Sequence, residues 1–292
     1  MPDATDDLDS KERKLRGLLR SYGRVAVGFS GGVDSTLLLR ESVNVLGAEN
    51  VLAVVADTPS LPRAELEEAL SLAAGMGAVC VTVKPDELSD PAYAANTRDR
   101  CYFCKRRLFE AIGVLAAAKG FTRILDGNNA DDEGDFRPGR RAARELGVKS
   151  PLLEAALTKA DIRLLSERLL LPNARKPAMA CLASRVPYGT PINRETLSRI
   201  ERAEASLRAL GFAHCRVRHH AEVARIEVPP EEIPRLLDSA VRERVVRELK
   251  DAGYHFVALD LQGYRTGSFN ETESYPAAPA HHVQRPVASC RR

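Results

Sequence analysis

The 292-residue sequence contains no apolar run approaching the roughly 20 residues that a membrane span needs. Met1 to Arg16 is acidic and then mixed in charge, without an apolar signal region, so a cytoplasmic location is the default expectation. A formal net charge of +3 is too small for a general nucleic-acid binder. No internal repeat is present. What remains is an ordinary globular composition, 44% hydrophobic and 28% charged, with enough length for a large core divided between two domains.

The chain is organised around Ser30-Gly31-Gly32-Val33-Asp34-Ser35. Before it lies the apolar run Val25 to Phe29, which reads as a buried strand. After it, Thr36-Leu37-Leu38-Leu39 opens a helix. Paired glycines at such a turn let the backbone approach a ligand closely. The helix start presents unpaired N–H groups and a positive dipole end suited to phosphate, to which Ser30 and Ser35 add hydroxyl donors. The lysine and spacing of the Walker loop are both absent.

Further buried strands are expected at Val51–Ala56, Val79–Val83 and Thr122–Asp126, separated by helices over Leu61–Ala74 and Phe103–Lys119. Strands alternating with helices predict an α/β fold with a doubly wound parallel sheet, and its ligands bind beyond the carboxyl ends of the strands. The phosphate loop, Asp57 and the polar run Asp126-Gly127-Asn128-Asn129-Ala130-Asp131-Asp132 all fall at that edge. Asp34 with Asp126 or Asp132 could position Mg²⁺. From Asn193 the pattern becomes a helix, two alternating strands (Arg216–His220 and Ala224–Val228), two helices and a last strand over Tyr254–Leu261, which predicts a smaller α+β domain. The expected division is a disordered 1–10, a nucleotide-binding domain over 11–175, an irregular loop over 176–192, the α+β domain over 193–275 and a disordered tail over 276–292.

Of six cysteines, Cys80 and Cys215 read as small core residues and Cys290 as part of the tail. Cys101-Tyr102-Phe103-Cys104 stands at a helix start, and Cys181 lies in the irregular loop. Zinc, a redox dithiol and an iron–sulfur cluster are all open readings. Zinc lacks a fourth ligand unless His219 or His220 reaches in. Lys105, Arg106 and Arg107 would favour a reactive thiol. Three cysteines with one position open suit a four-iron cluster.

Ser30 to Ser35, Ala56 to Ser60, Asp126 to Asp132, Arg137 to Ala142 and Ala180-Cys181-Leu182-Ala183-Ser184-Arg185-Val186-Pro187-Tyr188-Gly189 together resemble the LarE family of ATP-dependent sulfur transferases, within the PP-loop ATP pyrophosphatases. The resemblance runs in order over residues 12–270. It implies that ATP adenylates a carboxylate of a pyridinium dicarboxylate mononucleotide, releasing pyrophosphate. A sulfur nucleophile then displaces AMP and leaves a thiocarboxylate, in the making of a nickel-pincer nucleotide cofactor for lactate racemase.

In one branch of that family the cysteine matching Cys181 gives up its own sulfur and becomes dehydroalanine. In another, three cysteines hold a [4Fe-4S] cluster whose open iron carries sulfide, and Cys101, Cys104 and Cys181 match that branch. The resemblance further implies that Arg216 and Arg218, alternating on one strand, bind substrate phosphate, and that the protein is a homo-oligomer. Arg185 is expected to neutralise substrate, and Glu204 with Glu227 is a weak secondary metal site. The phosphate loop is shared with tRNA thiolases and with ammonia-using NAD synthetases. A thiolase should carry an RNA-binding face, and an amidase has no need of three cysteines.

Overall fold

The computed structural model describes residues 4–132 and 138–265, so Arg137, the 276–292 stretch and Cys290 lie outside the described residues. Helix α1 (Ala4–Tyr22) leads into β1 (Val25–Gly28) and α2 (Val33–Leu46). Then follow β2 (Val51–Ala56), α3 (Arg63–Gly75), β3 (Val79–Val83), the single turn α4 (Pro91–Ala94), α5 (Arg100–Ala118) and β4 (Arg123–Leu125). Helices α6 (Pro138–Glu145), α7 (Pro151–Glu154) and α8 (Lys159–Arg168) complete the first part. Among the described residues no helix is long and apolar enough to cross a membrane.

Residues 4–10, expected to be disordered, belong to α1. The reason is spacing: Leu8, Leu15 and Leu19 share one face and are buried against the core. Lys11 ties the same helix to Asp161 of α8 at 3.0 Å.

The main sheet is parallel, in the order β3-β2-β1-β4. The chain runs outward from β1 through β2 to β3, then returns to the other side of β1 with β4. The order therefore reverses between β1 and β4, and the phosphate loop leaves β1 at that switch point. Leu37, Leu38 and Leu39 of α2 are fully buried beneath it, each worth roughly 1.5–3 kcal/mol of apolar burial. Strand β3 is at the edge of the sheet, so Cys80 is half-buried rather than the core residue expected.

The second part contains α9 (Arg194–Ala209), β5 (Arg216–His220), β6 (Val223–Glu227), α10 (Ile233–Leu237), α11 (Ser239–Asp251) and β7 (Phe256–Leu259). Its sheet is mixed: β5 is antiparallel to β6, and β7 parallel to β6. Phe212, Cys215, Val217, Leu249 and Tyr254 form its separate apolar cluster, with Cys215 buried as expected. The last strand is shorter than the expected 254–261, because Tyr254 turns into that cluster and Asp260 accepts from the Gln262 N–H at 2.9 Å. Between the two parts, Tyr93 of α4, Leu182, Ala183 and Val186 of the cysteine loop, and Leu197 and Ile200 of α9 pack as a further cluster.

Candidate active site

The phosphate loop is held by its own hydroxyls. Ser35 Oγ donates to the Gly32 carbonyl at 3.1 Å and lies 3.1 Å from Ser30 Oγ. Gly31 has φ +72°, and a Cβ there would stand 3.0 Å from the Ala69 Cβ of α3, so both conformation and space demand glycine. Asn173 fixes the turn from outside, donating to the Gly31 carbonyl at 2.8 Å and to Thr36 Oγ1 at 2.9 Å.

The acidic run after β4 packs directly on this loop. A Cβ at Gly127 would stand 3.1 Å from the Ser35 backbone nitrogen. Asp34 accepts from Lys159 Nζ at 2.5 Å, and Asp131 accepts from the Lys159 backbone at 2.8 Å. Asp126 is buried and accepts from Ser150 Oγ at 2.7 Å and Asn128 Nδ2 at 2.6 Å. Burial raises its pKa, and the Ser150 hydrogen bond only partly offsets this. Asp132 accepts from the Asn129 N–H at 3.0 Å. At the end of β2, Asp57 pairs with Arg63 and Lys84, and the Arg63 hydrogen bond holds its carboxyl below the usual range.

The cysteines meet at the same edge. Helix α5 begins at Arg100, so Cys101 and Cys104 are both in its first turns. Cys181 precedes the 3₁₀ turn Leu182–Arg185, and the Leu182 N–H donates to the Ser60 carbonyl at 2.8 Å, tying the loop to the end of β2. Cys101 and Cys181 are exposed and Cys104 is half-buried. Cys181 is near enough to act on both of the other thiols: Cys101 is open to solvent yet crowded by surrounding protein, and that partial desolvation first, then the Cys181 sulfur, raises its pKa. Cys104 is pushed well above its ordinary value by burial, then by Glu87 and Cys181. Its Sγ donates to the buried Glu87 at 3.2 Å, and Glu87 also accepts from Ser60 Oγ at 2.5 Å.

Among the described residues no three His, Cys, Asp or Glu side chains are arranged to hold a single metal ion. A zinc ion would draw its sulfurs to about 2.3 Å from one point. A four-iron cluster would place each thiolate on a separate iron and so needs a wider spread of the sulfurs; Cys101 and Cys104 each interact with Cys181. A buried, unpartnered donor, Arg100 Nε, accompanies them.

Arg185, expected to neutralise substrate, is buried with its donors taken by the protein. It is 0% exposed, and its donors go to Glu204 (2.8 and 3.0 Å), to the Ala180 and Cys181 carbonyls (2.6 and 2.9 Å) and to Ser184 Oγ (3.0 Å). These bonds tie the cysteine loop to Glu204 of α9. Glu204 and Glu227 are not a surface metal pair either. Both are fully buried; Glu204 is taken by Arg185 and Arg208, Glu227 by Arg218 and Arg225. Arg216 and Arg218 do share a strand face, and that face is buried rather than solvated. Arg218 donates to the Ser184 carbonyl at 2.9 Å, and Arg216 lies 3.9 Å from Met179 Sδ and over the Tyr264 ring. Burial, reinforced by Arg185, lowers the Arg216 pKa, and no described carboxylate lies within ion-pair distance of it.

Sequence reasoning missed Glu87, Asn96, Arg100, Lys159 and Asn173. Their partners are remote in the chain, and no motif marks them.

The NAD synthase family model matches residues 11–99, a span that ends just before Cys101. A pyridinium-3,5-bisthiocarboxylic acid mononucleotide synthase from Lactiplantibacillus plantarum is 40% identical over 91% of this chain and 95% of its own length. An uncharacterised protein of Synechocystis is 42% identical over 90% of this chain and 98% of its own length. An NH₃-dependent NAD⁺ synthetase from Methanococcoides burtonii is 47% identical, but over only 18% of this chain.

Proposed function

The chain belongs to the LarE family of ATP-dependent sulfur transferases, and we propose that it converts a carboxylate of a pyridinium dicarboxylate mononucleotide to a thiocarboxylate with sulfur handled at Cys101, Cys104 and Cys181. ATP binds at the switch point between β1 and β4. The substrate carboxylate oxygen attacks the α-phosphate, and pyrophosphate leaves against the N–H groups of Gly31 and Gly32, the start of α2 and the hydroxyls of Ser30 and Ser35. Mg²⁺ would be held by Asp34 together with the bound phosphates, Asp126 and Asp132 shaping the wall beside it. The adenylate makes the acyl carbon electrophilic. A sulfur nucleophile adds there, and AMP leaves.

Arg216 and Arg218 bind the substrate phosphate in this reading. Arg216 supports it, as a buried cation without a described carboxylate partner. Cys101, Cys104 and Cys181 would hold a [4Fe-4S] cluster, which supplies an open iron able to carry a renewable sulfide. The observation that carries the proposal is the convergence of these three thiols on the carboxyl edge that bears the phosphate loop.

The test is iron and acid-labile sulfide per chain after anaerobic purification, with Cys101→Ala as control. Near-stoichiometric cluster in the parent, lost in the variant, supports the reading, as does repeated thiocarboxylate formation when sulfide is supplied. A parent that stays metal-free after anaerobic reconstitution, with Cys181 becoming dehydroalanine during turnover, overturns the cluster assignment.

A further inference from the structure

Arg100 is 5% exposed, and no described carboxylate pairs with it. A buried guanidinium without a counter-ion is costly, so its surroundings must supply one. Two donors are spent on structure. Nη1 donates to Asn96 Oδ1 at 2.6 Å and to the Ala183 carbonyl at 2.9 Å. Asn96 in turn donates to the Pro187 and Thr190 carbonyls at 2.8 and 2.9 Å. Arg100 thereby bolts the first turn of α5, which carries Cys101 and Cys104, to the loop that carries Cys181. The Tyr188 ring covers the guanidinium at 5.3 Å. Nε remains buried without an acceptor among the described residues. The sulfurs of Cys181 and Cys101 lie within electrostatic reach of it.

We infer that Arg100 is the positioning residue and counter-charge of the sulfur site: its Nη1 side sets the spacing of the cysteines and its remaining donors face the negative charge that sulfur brings. The inference rests on the sulfur-site reading above. Donors and charge beside iron–sulfur clusters raise their reduction potential and help retain them, and a cation beside a thiol favours the thiolate.

The experiment compares the parent with Arg100→Met and Arg100→Lys, checking the fold of each by thermal melting. After anaerobic reconstitution with iron and sulfide, Arg100→Met is expected to keep less than half of the parent's iron per chain. The cluster that remains should have a more negative potential. Arg100→Lys should restore part of the potential while its cluster still decays faster, because one ammonium nitrogen cannot stand at the Nη1, Nη2 and Nε positions at once. A second readout uses iron-free protein: alkylation of Cys101 by iodoacetamide at neutral pH should slow about tenfold in Arg100→Met and less in Arg100→Lys. Parent and Arg100→Met with equal iron, equal potential and equal alkylation rates would overturn the inference. A parent without cluster would overturn the cluster reading alone, and the alkylation rates would then decide the role of Arg100.

Discussion

The guanidinium of Arg185 grips the carboxylate of Glu204 through two bonds of 2.8 and 3.0 Å, with both side chains 0% exposed. Burial disfavours the charge on Glu204, but Arg185 outweighs it and its pKa lies below the ordinary value. Because Arg185 also holds the Ala180 and Cys181 carbonyls, this pair joins the stability of α9 to the shape of the cysteine loop. Removing one partner strands the other charge in the interior. Arg185→Ala should cost roughly 3–5 kcal/mol of stability, measured as a lower denaturant midpoint. Thiocarboxylate yield should fall with it. Arg185→Lys should recover little, since one ammonium cannot replace the fork of bonds.

Gly31 answers for the phosphate loop. An alanine there would hold a left-handed φ of +72° and press its Cβ to 3.0 Å from Ala69, a strain of roughly 1–3 kcal/mol. Gly31→Ala should therefore lower the unfolding midpoint and reduce ATP-dependent pyrophosphate release by about tenfold or more, by the usual cost of a misplaced anion donor. Ala69→Gly in the same chain should relieve the contact but not the backbone angle, so rescue will be partial in a coupled pyrophosphate assay.

The thiols should separate by exposure. Cys101 and Cys181 are exposed, whereas Cys215 is buried. Iodoacetamide at neutral pH, applied to iron-free native protein, should modify Cys181 and Cys101 and leave Cys215 untouched until denaturant is added. Peptide mass spectrometry reads this directly. Early modification of Cys215 would mean that the apolar cluster of the second sheet opens in the native state.

These sites were unequally legible in the sequence. The phosphate loop, the acidic run and the four parallel strands are local patterns: a strand, a glycine turn and a helix follow one another in the chain, and spacing alone declares them. Burial of charge is not local. Arg185 and Arg218 read as substrate ligands and Glu204 with Glu227 as a weak metal pair, and only packing of the cysteine loop against α9 and β5 turns them inward on one another. The Arg100 bond to Ala183 spans 83 residues of sequence, and the Asn96 bond to Thr190 spans 94. A cysteine motif can be found by its spacing, but the side chains that set its geometry are found only after the chain has folded back. The first two turns of the N-terminal helix were missed for the opposite reason, since an acidic segment hides Leu8 on the face that Leu15 and Leu19 continue.

Cys215 offers a test of the second core by pH. Burial, helped by Glu204, pushes its thiol from an ordinary 9.0 up to about 12. In the unfolded chain it ionises near 9, while the folded protein keeps the proton. The unfolded state therefore binds fewer protons between those values, and stability falls as pH rises through the window. The contribution is fully present below about pH 9 and is lost towards pH 12. At about 1.4 kcal/mol per pH unit the three-unit window bounds the loss at roughly 4 kcal/mol. Other groups titrate there too, including Tyr254, whose pKa burial also raises. The comparison that isolates the thiol is Cys215→Ala. Its stability at pH 7 should be lower, because a small cavity replaces the sulfur, but its decline from pH 9 upward should be shallower than that of the parent in parallel urea titrations. Parallel declines would mean that the Cys215 thiolate is already tolerated in the fold, and that the cluster around Phe212 and Tyr254 admits water.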